Sequence, residues 1–508
     1  MAAVTTPLSA TAPIPIAPNP PATAPAAAPA PTATRTAERG GRRGFRDHAR
    51  VAIVGGGPGG YEAALVAAQL GAEVTVVERQ GIGGSAVLTD VVPSKALIAT
   101  AEQATMTESA HELGLEAACG HEGELTVDFA RMDSRVLTLA AAQSRDIRTR
   151  LEREGVAIVD AHGRLDANGE VVADGRVIEA DVVLLSTGAR PRVLPTAEPD
   201  GERILTWTQV YGLTELPEHL IVVGSGVTGA EFAGAYTGLG AKVTLVSSRD
   251  RVLPGEDQDA AEVIEGAFRR RGMTVLSRSR AAAVRRVTSG AGDGVEVELA
   301  DGRVVAGSHC LVAVGSVPNT EDLGLDEAGV RTTEAGHIDV DRVSRTTARG
   351  IYAAGDCTGV HALASVAAMQ GRIAMWHALG DAVAPLDLAH ASANIFTAPE
   401  IATVGISESD ITSGRVRGQV AMVPLARNPR AKMQGIREGF IKLFAHRASG
   451  LVLGGVVVAP SASELIYPIT LAVTNQLTVD QVASAFTVYP SLSGSLAEAA
   501  RILHDTHA

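Results

Sequence analysis

The chain has 508 residues, enough for about three domains of ordinary size, and 46% of them are apolar, an ordinary globular fraction. A formal net charge of −13, with no long basic run in the body of the chain, argues against nucleic acid as a main partner. Cys119, Cys310 and Cys357 are far apart, with no CxxC pair and no zinc-like Cys/His spacing; they read as packing residues of a reducing cytoplasm, and no metal site is implied.

Residues 1–34 are almost wholly Ala, Pro and Thr. Their prolines interrupt the apolar segment that a secretory signal needs, so 1–48 is expected to be a disordered tail. The basic stretch from Arg35 to Arg50 reads as a solvated linker, with ordered structure beginning near Arg50. No apolar stretch reaches the ~18 residues of a membrane span, so no stable membrane insertion is expected.

VAIVGGGPGG (Val51–Gly60) then reads as strand, glycine turn and helix, and GAEVTVVER (Gly71–Arg79) as a second strand. In such a unit the first glycine permits the tight turn, the second lets backbone approach a pyrophosphate, and the third lets helix and strand pack closely. Glu78 ends the second strand, where a carboxylate can accept hydrogen bonds from both ribose hydroxyls. GIGGSAVLTDVVPSK (Gly81–Lys95) follows as a mostly apolar loop, with a helix starting at Pro93-Ser94-Lys95. Lys95 lies against that helix's dipole, which favours negative charge in a first turn.

VVLLSTGARP (Val182–Pro191) is a buried strand ending at glycine. LIVVGSGVTG (Leu220–Gly229) with GAKVTLVSS (Gly240–Ser248) repeats the first unit, so the chain carries two dinucleotide sites. Glu231 follows the second glycine turn, where its charge is as unfavourable as that of Lys95; two such charges make sense if they face one another. Ser247 replaces the acidic residue, followed by Ser248 and Arg249. Arg249 either pairs with a 2′-phosphate or is a solvated loop residue, which leaves NADH against NADPH open.

CLVAVGSVPN (Cys310–Asn319) and GIYAAGDCTG (Gly350–Gly359) are further strands ending at glycine. Asp356 either holds a cofactor hydroxyl or caps the next turn. After about residue 385, runs such as GFIKLF and LVLGGVVVAP suggest an antiparallel sheet covered by helices. The expected division is a first nucleotide domain of 49–196 and 312–385, a second of 197–311 inserted in it, and a C-terminal unit of 386–508.

Together these segments resemble the flavoprotein disulfide reductases, from about Val51 to the C-terminus. The resemblance is carried by the first glycine motif with Glu78, GG…PSK, the second glycine motif with Glu231, GIYAAGDCTG, FTAPEIATVG (Phe396–Gly405) and YPSLSG. It implies an α/β fold of two Rossmann-like domains, for FAD and NAD(P), plus a C-terminal α+β dimerisation domain, and hence a homodimer. It places Gly55, Gly57, Gly60, Glu78, Gly84, Ser85, Lys95, Gly163, Thr187, Gly188 and Asp356 along FAD, with the backbone of Ala364 and Ser365 at the flavin edge. Gly224, Gly226, Gly229, Glu231, Ser247, Ser248, Arg249 and Gly315 fall along the nicotinamide nucleotide.

The departures decide the activity. The family loop reads approximately GGTCLNVGCIPSK, with two redox cysteines, whereas Gly83–Lys95 reads GGSAVLTDVVPSK, with Ala86 and Val91 in their places. Neither side chain forms a thiolate. The family's His-Pro-Thr…Glu segment, supplied by the partner subunit, here reads Tyr489-Pro490-Ser491-Leu492-Ser493-Gly494. Thiol–disulfide exchange is therefore lost, while the Lys95 and Glu231 pair implies that hydride transfer from nicotinamide to flavin is kept. SAVLTDVVPSK and VYPSLSGS are similar to the branch of NAD(P)H quinone reductases that lack the disulfide. The expected reaction is ping-pong reduction of a quinone in a slot lined by Ala86, Leu88, Val91 and Tyr489, in a cytoplasmic enzyme. A pyridine nucleotide transhydrogenase and a non-catalytic flavin-binding subunit are the alternatives.

Overall fold

The computed structural model describes residues 49–114, 127–289 and 292–505; the expected tail and Cys119 lie outside the described residues. Continuous apolar runs form parallel strands covered on both faces. β1 (Arg50–Val54) lies at the centre of a five-stranded parallel sheet ordered Ile351–Ala353, Val182–Leu185, β1, β2 (Glu73–Glu78), β3 (Ala157–Asp160). α1 (Pro58–Gln69) joins β1 to β2, and Pro58 at its start needs no N–H partner there.

The stretch expected as a loop is helical. α2 (Gly84–Leu88) and α3 (Val91–Glu108) occupy it, and Lys95 sits one turn inside α3. Gly83, at φ 102°, makes the sharp entry, and Pro93 falls in the first turn of α3, where a missing N–H costs nothing. α4 (Phe129–Arg153) then leads towards β3.

A second parallel sheet is ordered Thr274–Leu276, Lys242–Val246, His219–Val223, His309–Val312, Ile204–Leu205, with α5 (Val227–Gly238) and α6 (Gln258–Arg270) among its connections. Val312, expected in the first unit, pairs instead with Val223 as the last rung of this ladder. Strands Ala189–Pro191 and Ser316–Pro318 pair where the chain leaves the first sheet and returns.

α7 (Ala364–Ala378) packs on α1 at very short range. A Cβ added at Gly371 would lie 2.0 Å from the Gly59 carbonyl oxygen, which is backbone and cannot turn aside. Gly371→Ala is therefore expected to cost about 1–3 kcal/mol, read as a lower urea midpoint with unchanged m-value.

The C-terminal unit is a five-stranded antiparallel sheet ordered Ala393–Ile395, Glu400–Gly405, Val452–Ala459, Phe440–His446, Gly418–Pro424. Lys442 of this sheet is 1% exposed, and its Nζ lies 2.8 Å from Asp257, 2.6 Å from Asp259 and 2.5 Å from Glu408. Asp257 caps α6 and Glu408 opens α8 (Glu408–Thr412), so one ammonium ties the second sheet's helix to the C-terminal unit.

Candidate active site

The first glycine turn builds a cradle. Gly55 has φ 102°, and a Cβ there would lie 2.2 Å from the Ser186 carbonyl oxygen. A Cβ at Gly60 would lie 1.9 Å from the Gly55 oxygen, whereas one at Gly57 would meet nothing within 4 Å. Gly55 and Gly60 thus close the turn, and Gly57 leaves backbone open to a ligand. No side chain caps α1, so the N–H groups of its first turn remain available for an anion.

The adjoining cavity has a volume of about 580 Å³ and is lined by Gly55, Glu78, Gly84, Ser85, Gly163 and Thr187 among others. Glu78 is aimed by backbone: Gly56 N–H donates to Oε2 and Gln80 N–H to Oε1, both at 2.7 Å. An ionised carboxylate has about four acceptor positions, so capacity is left for ribose hydroxyls. A Cβ at Gly163 would meet Val54 and Val77 at 3.0 and 3.1 Å, so this strand needs glycine to pass the sheet.

Thr187 and Gly188 are fixed by a segment far off in sequence. Thr187 Oγ1 donates to the Asn319 carbonyl at 2.7 Å, and Asn319 Nδ2 donates back to the Thr187 carbonyl at 2.9 Å. Arg190 and Asn319 also line the cavity and were not anticipated; Arg190 lies in one crossing strand and Asn319 directly follows the other, and the motifs do not reveal that pairing. The Asp356 side chain does not cap the turn Asp356–Thr358 and accepts no hydrogen bond from a described residue. Burial holds its carboxyl above the usual range, partly offset by His337. Ala364 and Ser365 are exposed at the uncapped start of α7.

Lys95 and Glu231 come together from α3 and α5. Lys95 Nζ donates to Glu231 Oε2 at 2.8 Å, and Glu231 is only 4% exposed. Phe396 N–H donates to Oε1 at 2.9 Å, and Lys95 Nζ lies 5.0 Å from the Phe396 ring centre. Phe396 thus holds both members of the pair, a contribution unseen in the sequence because its backbone, not its side-chain type, is the donor. Asp90 and Tyr211 also lie within electrostatic reach of this cluster and were likewise unassigned.

The second glycine turn repeats the geometry of the first. Cβ atoms at Gly224 and Gly229 would lie 2.1 Å from the Ala313 oxygen and 1.9 Å from the Gly224 oxygen, while Gly226 and Gly315 are open. Ser247 is fully buried, with its hydroxyl 2.7 Å from that of Ser225, so it shapes the turn from within and does not face outward. A short hydroxyl at the position where the longer Glu78 lines its cavity cannot reach a ligand here. Ser248 and Arg249 are exposed, and Arg249 makes no ion pair with a described residue.

Tyr489 is 83% exposed and Phe486 106%, so within one chain Tyr489 is not seated against Ala86, Leu88 and Val91. Cys310 and Cys357 are free and fully buried; burial pushes their thiols up to about 12 and about 11, which makes them poor nucleophiles.

The pyridine nucleotide-disulphide oxidoreductase profile matches residues 49–371, and the dimerisation-domain profile of the same family matches 391–500. The chain is 53% identical to the NAD(P)H dehydrogenase (quinone) of Mycobacterium tuberculosis over 472 residues, covering 90% of this chain and 94% of that protein. It is 32% identical to the dihydrolipoyl dehydrogenase of Zymomonas mobilis over 462 residues, covering 89% and 97%. The crystal structure of LpdA from M. tuberculosis superposes with a TM-score of 0.84 at 53% identity, over 90% of this chain and 99% of that one. The flavoprotein disulfide reductase RclA of Escherichia coli, at 24% identity and a TM-score of 0.79, covers 89% and 99% and shares the fold. Two dinucleotide cradles, an ion pair between them and an appended antiparallel sheet thus agree with both profiles: the chain belongs to the pyridine nucleotide-disulphide oxidoreductase family.

Proposed function

We propose that this protein is an FAD-dependent NAD(P)H:quinone oxidoreductase working by ping-pong, as a cytoplasmic homodimer. The observation that carries the reading is the Lys95–Glu231 pair kept at 2.8 Å beside a segment whose redox cysteine positions hold Ala86 and Val91. The cradles fit the cofactors: Glu78 has spare acceptor capacity, Asp356 accepts no hydrogen bond from a described residue, and α1 and α5 both start without side-chain caps. FAD held there would supply the hydride and two-electron chemistry that links NAD(P)H to the acceptor.

The chain's own groups bind, orient and exclude water. Gly57, Glu78, Thr187, Gly188, Asp356 and the start of α7 hold the first nucleotide; Gly226, Ser248, Arg249 and Gly315 hold the second. Lys95, fixed by Glu231, places a positive charge where the two meet, and in a half-buried site such a charge acts strongly. Ala86, Leu88 and Val91 offer an apolar wall to a flat ring, and Tyr489 of the partner subunit adds one phenol. Exposed Phe486, Val488 and Tyr489 on the C-terminal unit, whose family match is a dimerisation domain, support that pairing. No described helix is long and apolar enough to cross a membrane.

Anaerobic NADPH is expected to bleach the flavin, and menadione to restore its colour with parallel double-reciprocal plots. Dihydrolipoamide is expected to leave the flavin oxidised, because no thiol pair receives its electrons. Intersecting plots would remove the ping-pong scheme, and flavin that stays yellow under NADPH would remove the enzyme. Tyr489→Phe is expected to slow quinone reduction more than flavin reduction; equal losses would take Tyr489 out of the acceptor site.

A further inference from the structure

Quinone reduction consumes two electrons and two protons. A hydride equivalent from the flavin brings both electrons and one proton, so a second proton must come from an acid in the site. The histidine of the family's partner segment is replaced by Tyr489, so the proton needs another donor near the Lys95–Glu231 pair.

Asp90 joins α2 to α3. Its carbonyl accepts the first helical bond of α3, from Ser94 N–H at 2.8 Å, so its position is that of a helix-capping residue. A capping aspartate ordinarily accepts from the second or third N–H of the helix. Here the third residue is Pro93, which has no N–H, and the Asp90 carboxylate accepts no hydrogen bond from a described residue. The cap is unmade, and the half-buried carboxyl lies at the junction between Thr89 and Val91 with no hydrogen bond from a described residue. The resembled loop carries glycine at this position.

A second buried group lies within electrostatic reach of it. Tyr211 is 7% exposed, and its hydroxyl, on which the Ser94 side chain acts, has no hydrogen-bond partner of good geometry among the described residues. Burial and then the Asp90 charge hold this phenol far above its usual range, so it stays a neutral donor. The groups facing Asp90 are Lys95 on its own helix, Glu231 on α5, Asp356 in the turn Asp356–Thr358 and Tyr211 in the turn Val210–Gly212. Among the described residues, neither a backbone N–H nor the Lys95 ammonium hydrogen-bonds the Asp90 carboxylate.

We propose that Asp90 is the acid of the acceptor half-reaction, giving its carboxylic proton to one quinone oxygen while a hydride equivalent arrives from the flavin. This inference rests on the quinone reading above. The Asp90 O–H bond breaks, an O–H bond forms on the quinone, the quinol leaves, and solvent returns a proton to the carboxylate. Burial, aided by Glu231 and Asp356 and opposed by Lys95, raises this carboxyl to about 6, a suitable range for proton transfer near neutral pH. Because the acid form acts, reoxidation should be fastest below about pH 6 and should slow as pH rises through that value.

The test separates half-reactions by stopped flow and compares acceptors. In Asp90→Asn, reduction by NADPH should stay within about twofold, while reoxidation by menadione falls about a hundredfold and loses its pH limb. Ferricyanide, which takes electrons without protons, should reoxidise wild type and variant alike. Independently of turnover, the infrared difference spectrum of the oxidised holoenzyme across about pH 6 should show a carboxyl band that Asp90→Asn removes. An equal loss with ferricyanide, an unchanged limb, or a limb removed by Tyr489→Phe instead would overturn the assignment. Wild type that menadione fails to reoxidise would sink the quinone reading itself. Wild type that menadione reoxidises no faster than it does Asp90→Asn would sink Asp90 alone.

Discussion

Lys95→Met should slow reduction of the bound flavin by NADPH about a hundredfold, the usual effect of removing one fixed electrostatic donor from a water-poor site. The side chain is close to isosteric, so α3 should keep its place. What disappears is the charge 2.8 Å from Glu231, whose carboxylate then keeps the Phe396 N–H as its one donor among the described residues. Stopped-flow absorbance under anaerobic NADPH reads the rate, and a retained flavin spectrum shows that the fold is intact. A loss smaller than about threefold would assign the pair to structure and not to hydride transfer. Adding Glu231→Gln to Lys95→Met should cost far less than the sum of the separate losses, since both act through one contact.

Lys442→Met should have the largest effect on stability, about 3–5 kcal/mol, because it strands carboxylates that were paired. The cost is concentrated on Asp257, whose side chain is 5% exposed; Asp259 and Glu408, at 48% and 34%, recover much of their hydration. Burial pulls the Lys442 ammonium's pKa down, but the hydrogen bonds to Asp257, Asp259 and Glu408 outweigh this and hold it above the ordinary value. Urea unfolding followed by far-ultraviolet circular dichroism measures the loss. Asp257→Asn placed on Lys442→Met should recover part of it, since it removes the stranded charge. If the double variant is no more stable than Lys442→Met, the penalty is one of packing and not of charge.

Local patterns carried a large part of the molecule. The two glycine turns could be placed because each needs backbone at positive φ and backbone with no Cβ, and only glycine supplies both. The buried strands could be placed because a parallel strand covered on both faces is apolar without interruption. The missing disulfide was equally plain, since no side chain at Ala86 or Val91 can replace sulfur. The helical character of Gly84–Leu88 was not, because a short apolar run after glycines does not distinguish loop from helix.

What the sequence by itself determined was the set of backbone shapes and the chemistry that is absent, because both follow from residue type at one place. Only the tertiary structure decided which distant groups share a site. Phe396 reaches Glu231 through a main-chain N–H, Asn319 locks Thr187, and Ser247 is bound to Ser225 where Glu78 lines the cavity. Asp90 is left without a cap at the start of α3, which packs against α5, the helix that carries Glu231. Such pairings depend on direction and burial, which residue identity does not encode until the chain has folded.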